Sequence, residues 1–153
     1  MSGNISQMRI HIISALFPPE PVMTAMTASD VAVELTRRGH DVTVFAPFPN
    51  RPSGVVLPGY KRQLWHVEEN NGYRIVRTWH SLSKRSNFVS RTLENITFGL
   101  SATLGLMMTK PPDIVYMNDS VDLLFRSYGF SMKKESIKIL LDFGRLHRTL
   151  RLY

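Results

Sequence analysis

The sequence has no cysteine. Disulfides, thiolate metal sites and cysteine nucleophiles are therefore excluded, and a chain without a disulfide framework fits the cytosol, where we expect it. Long apolar runs are missing too. The apolar stretch at residues 10–17 contains His11 and ends at Pro18-Pro19 instead of a small-residue cleavage site. It therefore predicts neither a signal peptide nor one of the helices of roughly eighteen apolar residues that cross membranes.

Glycine is missing where nucleotide-binding α/β proteins need it. No glycine lies between Met8 and Arg38, so the first βα turn has no G-x-G-x-x-G fingerprint, and the chain has no Walker loop. These absences argue against nicotinamide dehydrogenases and P-loop kinases. The histidines are scattered, without metal-ligand spacing or a G-x-S-x-G elbow: His11, His40, His66, His80 and His147. We predict no metal site, no cofactor and no catalytic triad.

Acidic residues are outnumbered, with twelve Asp and Glu against nineteen Lys and Arg, a formal net charge of +7. This charge favours anionic partners such as nucleic acid, acidic lipid or phosphate-bearing metabolites, or belongs to an inert basic surface. Basic residues and aromatics are interleaved in one region: Tyr60, Lys61, Arg62, Trp65, Tyr73, Arg74, Arg77 and Trp79. Half-buried aromatics with a solvated basic face account for this pattern better than a nucleic-acid-binding ribbon does. We expect no nucleic acid.

Short apolar runs rich in β-branched residues alternate with helical patterns. Strands are predicted at residues 9–16, 41–47, 111–119 and 136–143. Helices are predicted at residues 23–39 and 86–109, with a weaker one at 121–134. A strand, a helix and a strand within about forty residues form a βαβ unit with parallel strands. The pattern predicts an α/β fold, Rossmann-like and doubly wound, with a mainly parallel sheet.

One β-hairpin is inserted into this alternation. Two strand-like runs, at residues 63–69 and 73–79, are joined by Asn70-Asn71-Gly72, a strong turn signal. The proline- and glycine-rich residues 48–60 before them are predicted to be a loop. We divide the chain into a disordered leader at 1–7, one domain at 8–143 and a truncated or divergent basic tail at 144–153.

The apolar residues of each helix predict the face that packs on the sheet. On the first helix they are Met26, Val31, Val33 and Leu35. On the second they recur at spacings of three and four: Val89, Leu93, Ile96, Leu100, Leu104 and Met107. This second helix also has basic flanks at Arg85, Arg91 and Lys110, so contact with a membrane surface is the alternative interpretation.

Ligands of doubly wound sheets bind at the carboxyl ends of the parallel strands. Three segments follow such ends here, at residues 17–24, 47–51 and 118–120. The sequence therefore predicts that these segments converge on one crevice.

Four segments, in order, resemble the N-terminal domain of family-4-type retaining glycosyltransferases, which have the two-domain GT-B fold. Residues 9–54 contain FPPEP, RRGHDVTVF and FPNRPSG, whose joint presence carries most of the likeness. The hairpin at 58–79, the helix at 88–108 and KPPDIVYMND at 110–119 continue it. The similarity is greatest to the branch that builds capsule, colanic-acid and O-antigen repeat units.

The resemblance implies transfer of a sugar from a nucleotide-sugar to an acceptor, without a metal in the active site. The N-terminal domain would shape the acceptor site, for a saccharide or polyprenyl-linked acceptor at the inner face of the cytoplasmic membrane. Its first βα turn would close over the diphosphate of the donor. The implied binding residues are Pro19, Glu20, Met23 and Thr24 in that turn, Asn50 and Arg51 in the second loop, and Asn118 and Asp119 at the acceptor edge. No catalytic residue is implied in this half.

The chain departs from the family pattern at several positions. Val22 stands where a glycine is usual, and Thr27 where a basic residue is common. No two glutamates lie eight apart, so the E-x7-E motif of the donor domain is missing. We therefore expect a partial glycosyltransferase that is inactive alone. The alternatives are a non-catalytic accessory module that pairs with a separate donor-domain chain, and an unrelated Rossmann-like protein.

Overall fold

The computed structural model describes residues 6–83, 87–118 and 138–142. Within them, one sheet contains the strands β1 (Arg9–Ser14), β2 (Asp41–Pro47), β3 (Trp65–Asn70), β4 (Tyr73–Thr78), β5 (Ile114–Asn118) and β6 (Lys138–Asp142). Most of the predicted leader, Asp119, the weaker helix at 121–134 and the tail at 144–153 lie outside the described residues.

The order across the sheet is β3-β4-β2-β1-β5-β6. Only the β3–β4 pair is antiparallel, and the other neighbouring strands in this part of the chain run parallel. Without β3, the parallel strands numbered in chain order lie 3-2-1-4-5, which is the Rossmann arrangement. The predicted α/β class, with a mainly parallel sheet and one hairpin, is confirmed.

The helices α1 (Met23–Arg37) and α2 (Phe88–Met107) cover opposite faces of this sheet. Successive residues of a strand point to opposite faces, so two neighbouring isoleucines of β1 pack toward different helices. Ile12 belongs to the cluster that contains the alanines of α1. Ile13 lies with Phe45 and with Phe98 of α2 in the other cluster. Helices on both faces confirm the doubly wound arrangement.

The first helix packs through small residues. Its fully buried side chains are Ala25, Ala28 and Ala32. Val31 and Leu35 are partly buried against the same cluster. Met26 and Val33 are exposed, so the prediction that they belong to the packing face was wrong. Alanine lets the helix backbone approach the strands closely, and the larger side chains are left outside.

The second helix turns the face opposite to the predicted one toward the sheet. Its buried residues are Glu94, Phe98, Gly99, Ala102, Gly105 and Leu106. The six predicted packing residues, which we call the outward face of α2, are 41% to 72% exposed: Val89, Leu93, Ile96, Leu100, Leu104 and Met107. Glycine explains this orientation, because a Cβ at Gly105 would lie 3.3 Å from Cε1 of Phe45. The prediction that this stripe packs on the sheet was wrong.

The hairpin turn follows the prediction. The register of β3 and β4 closes at Asn70 opposite Tyr73, which leaves Asn71 and Gly72 as a two-residue turn. Both turn residues have positive φ, 48° and 82°, as a type I′ turn requires. The turn thereby fixes which residues of β4 point to each face of the sheet.

Replacing Gly72 with alanine is expected to lower the free energy of unfolding by about 1–2 kcal/mol, because an L side chain is strained at positive φ. The new Cβ would also lie 3.2 Å from Cγ2 of Thr36. Urea denaturation measures the change. Gly59→Ala is the matched control, since φ is also positive there and no described atom lies within 4 Å of the new Cβ. An equal loss in both variants would contradict a role for the Thr36 contact.

Candidate functional site

A pocket of about 380 Å³ opens at the carboxyl ends of β1, β2 and β4, beside the first turns of α2. This volume lies in the range of small-molecule sites. Its polar lining consists of Asn50, Arg51, His80, Arg91, Glu94 and Asn95. Apolar side chains, among them Leu16, Val22 and Phe98, complete the wall.

Glu20 ties the first βα turn to the loop after β2. Its side chain is only 2% exposed, and Oε1 accepts the backbone N–H groups of Asn50 at 2.9 Å and of Arg51 at 3.1 Å. Burial raises the pKa of the Glu20 carboxyl, although these N–H bonds and the charge of Arg77 act in the opposite direction. Glu20 thus joins the FPPEP and FPNRPSG segments directly.

Arg77 of β4 contacts the FPPEP segment and the end of β2, immediately before the FPNRPSG segment. Its side chain is 1% exposed and donates to the carbonyl oxygens of Pro18 and, at 3.4 Å, Pro47. Its Nε lies 3.2 Å from Oε1 of Glu68. The guanidinium carbon is also 5.7 Å from the ring centre of Phe17. The prediction that Arg77 belongs to a solvated basic face was wrong, since its side chain is buried.

His80 follows β4 and lines the pocket. Its Nε2 lies 3.2 Å from Nδ2 of Asn50, which is an amide donor, so Nε2 accepts and the neutral ring carries its proton on Nδ1. Burial, reinforced by the charge of Arg62, lowers the pKa of His80 to about 4. The ring is therefore neutral at pH 7 and presents an N–H donor.

An ion pair closes the other side of the pocket. Nη2 of Arg51 lies 3.2 Å from Oε2 of Glu94, which is buried on α2. Burial raises the pKa of the Glu94 carboxyl, while the charge of Arg91 acts to lower it. The helix that carries Glu94 begins at a cap, because Oδ1 of Asn87 accepts the N–H of Ser90 at 2.8 Å.

The predicted binding residues have different positions. Glu20, Asn50 and Arg51 come together, and Asn50 and Arg51 line the pocket. Pro19 and Met23 are exposed, Thr24 is half-buried, and none of these three lines the pocket. Asn118 ends β5 opposite Ser14, but its side chain and the whole of Asp119 lie outside the described part of the chain.

The contribution of β4 and α2 to the pocket was not predicted from the sequence. His80 was grouped with the scattered histidines, and Glu94 was not singled out. One signal was present: Arg91 and Glu94, one turn apart, are the only charged residues in the sequence of α2. Isolated charged residues on an otherwise apolar helix face either solvent or a polar site, and here both line the pocket.

The described residues hold no group of three or more histidine, aspartate or glutamate side chains placed to bind a metal ion. None of the helices in the same residues is long and apolar enough to cross a membrane. Comparison of the sequence with known family models and with curated proteins found no match.

Proposed function

We propose that this chain is the acceptor-binding half of a GT-B glycosyltransferase. One observation carries the proposal. The two loops with the strongest family resemblance, FPPEP and FPNRPSG, are hydrogen-bonded to each other through Glu20. Asn50 and Arg51 of the second loop line the pocket, together with Leu16 and Val22, which flank the first. The Rossmann strand order and the position of the pocket at the carboxyl ends of the strands agree with such a role.

Sugar transfer needs a donor and an acceptor held together in one cleft, with the charge of the leaving phosphate stabilised. In the proposed enzyme this half holds a saccharide or polyprenyl-linked acceptor, and a donor domain holds the nucleotide-sugar. By itself, an acceptor-binding half would not transfer the sugar, because the donor would not be held beside the acceptor. A separate donor-domain chain would restore transfer if the protein is an accessory module.

Calorimetric titration tests the proposal. We expect binding of acceptor oligosaccharides and no binding of UDP, GDP or their sugars. Asn50→Ala should weaken saccharide binding by roughly tenfold, the value of one lost hydrogen bond in a buried site. Asn70→Ala, an exposed asparagine in the hairpin, is the control and should bind like the wild type. Micromolar binding of a nucleotide by this chain would overturn the proposal.

We also propose that the enzyme works at the surface of the cytoplasmic membrane, attached through the outward face of α2. These six side chains form an uncharged apolar stripe on the solvent side of the helix. Lys110, which is exposed, lies beyond the C-terminal end of this stripe, and a basic flank favours anionic lipid.

Replacing Leu100 and Leu104 together with glutamine is expected to lower the bound fraction, expressed as bound over free protein with anionic liposomes, roughly thirtyfold. Each leucine contributes about 1 kcal/mol when half of its surface is buried, and about 1.4 kcal/mol corresponds to a factor of ten. Sedimentation with phosphatidylglycerol vesicles measures this fraction. The control is Met26→Gln with Val33→Gln, two exposed apolar residues of α1 on the other face of the sheet. Equal binding of both double variants would rule out attachment through α2.

A further inference from the structure

Two residues that line the pocket each have a buried hydrogen-bond donor without an acceptor in the described part of the chain. Nδ1 of His80 and Nε of Arg51 are both buried and without a hydrogen-bond partner within the described residues. The contact with Asn50 sets the tautomer of His80, so its Nδ1 carries the proton. Nε of arginine is always protonated. A buried donor without an acceptor costs about 1–3 kcal/mol, so both atoms favour a ligand that offers oxygen.

The charge of the lining also favours a negative ligand. Arg51 and Arg91 contribute two positive charges, and Glu94 is the single acidic side chain among the described lining residues. Glu94 accepts a hydrogen bond from Nη2 of Arg51, which leaves the Nε–H group of the guanidinium without an acceptor.

The remaining wall suits a sugar ring. Phe98, Leu16 and Val22 offer apolar surface for C–H groups, and Asn95 adds an amide. A volume of about 380 Å³ accommodates a single monosaccharide residue together with one charged substituent.

We propose that the pocket recognises an acidic sugar, whose carboxylate or phosphate oxygens accept from Nδ1 of His80 and Nε of Arg51. This inference rests on the proposed function, since it names the class of acceptor residue that the half-enzyme binds. Hydrogen bonds to a charged acceptor are about twice as strong as those to a neutral hydroxyl, so the pocket should discriminate between acidic and neutral sugars.

Heteronuclear NMR titration with glucuronate, glucose 6-phosphate, glucose and inorganic phosphate tests the inference. At least one acidic sugar should bind roughly tenfold more tightly than glucose, and the tighter of the two identifies the carboxylate or the phosphate. Equal affinity for glucose and both acidic sugars would overturn the inference and leave the proposed function standing. Inorganic phosphate that binds as tightly as glucose 6-phosphate would also overturn it. Failure of every sugar to bind would count against the proposed function itself.

Two variants test the assigned donors. Arg51→Lys keeps the positive charge and removes the Nε–H donor, and His80→Ala removes the Nδ1–H donor. Each should bring the affinity ratio of acidic to neutral sugar down toward one, a change that a merely structural role would not produce. Arg62→Lys and His66→Ala, at exposed positions outside the pocket, are the matched controls. An unchanged ratio in Arg51→Lys overturns the inference even if His80→Ala fails to fold.

Discussion

Replacing Arg77 with alanine is expected to lower the free energy of unfolding by about 3–5 kcal/mol, the usual cost of breaking a buried ion pair. The loss has several sources. Glu68 loses its partner, and the carbonyl oxygens of Pro18 and Pro47 lose a charged donor. The space between the rings of Phe17 and Tyr60 is left empty. Because Pro18 lies in the FPPEP turn and Pro47 immediately precedes the FPNRPSG loop, the variant should also lose saccharide binding.

Arg74→Ala provides the comparison for this prediction. Arg74 lies on the same strand and is also paired, at 3.1 Å from Asp41, but it is exposed. An exposed pair contributes at most about 1 kcal/mol. Urea denaturation of both variants at pH 7 measures the two losses in free energy of unfolding and separates the effect of burial from that of charge pairing. Similar losses in the two variants would show that Arg77 does not hold the loops together.

Local patterns of the sequence predicted the strands and the hairpin correctly. The short β-branched runs that form β1 and β2 favour buried strands, and Asn71-Gly72 favours a turn with positive φ. The orientation of α2 did not follow from its pattern. Periodicity identifies an apolar stripe but not whether that stripe meets the sheet, and here Gly105 decides by allowing contact with Phe45. Small residues carry little weight in a hydrophobic pattern and much weight in close packing.

The candidate site was predictable only where it depends on sheet topology. Loops after parallel strands meet at one edge, which is why Asn50 and Arg51 lie at the pocket. His80 and Glu94 reach it through contacts between residues distant in sequence. Asn50 and His80 are thirty positions apart, and Arg51 and Glu94 forty-three. No local pattern encodes such pairs. The sequence signal noted here is the presence of two charged residues in the otherwise apolar sequence of α2.

Lowering the pH from 7 to 5 is expected to destabilise the protein through two buried histidines, by about 2 kcal/mol each. Burial lowers the pKa of His11 to about 4, with the charge of Arg9 adding to the effect and that of Asp41 opposing it. The pKa of His80 is lowered to about 4 by burial and then by Arg62. In the unfolded chain both titrate near 6.5. Their contribution is therefore complete above pH 6.5 and is lost as the pH falls toward 4.

Two buried carboxyls act in the opposite direction. The pKa values of Glu20 and Glu94 are raised, chiefly by burial, so their contribution is complete below the unfolded value of 4.5 and is lost as the pH rises through the folded values. Acidification from pH 7 to pH 5 therefore recovers part of what the histidines lose. The wild-type loss should be smaller than the sum for His11 and His80.

Variants separate the opposing contributions, with urea denaturation at pH 7 and pH 5 as the measurement. His80→Gln should reduce the acid-induced loss by about 2 kcal/mol, because glutamine cannot take up the proton that the unfolded histidine binds. Glu20→Gln should increase the loss, since it removes a group that favours the folded state at low pH. His66→Gln, at an exposed position on β3, should leave the pH dependence unchanged. If His80→Gln and the wild type lose the same stability, His80 is not held neutral in the folded protein, and the donor assigned to its Nδ1 loses its physical basis.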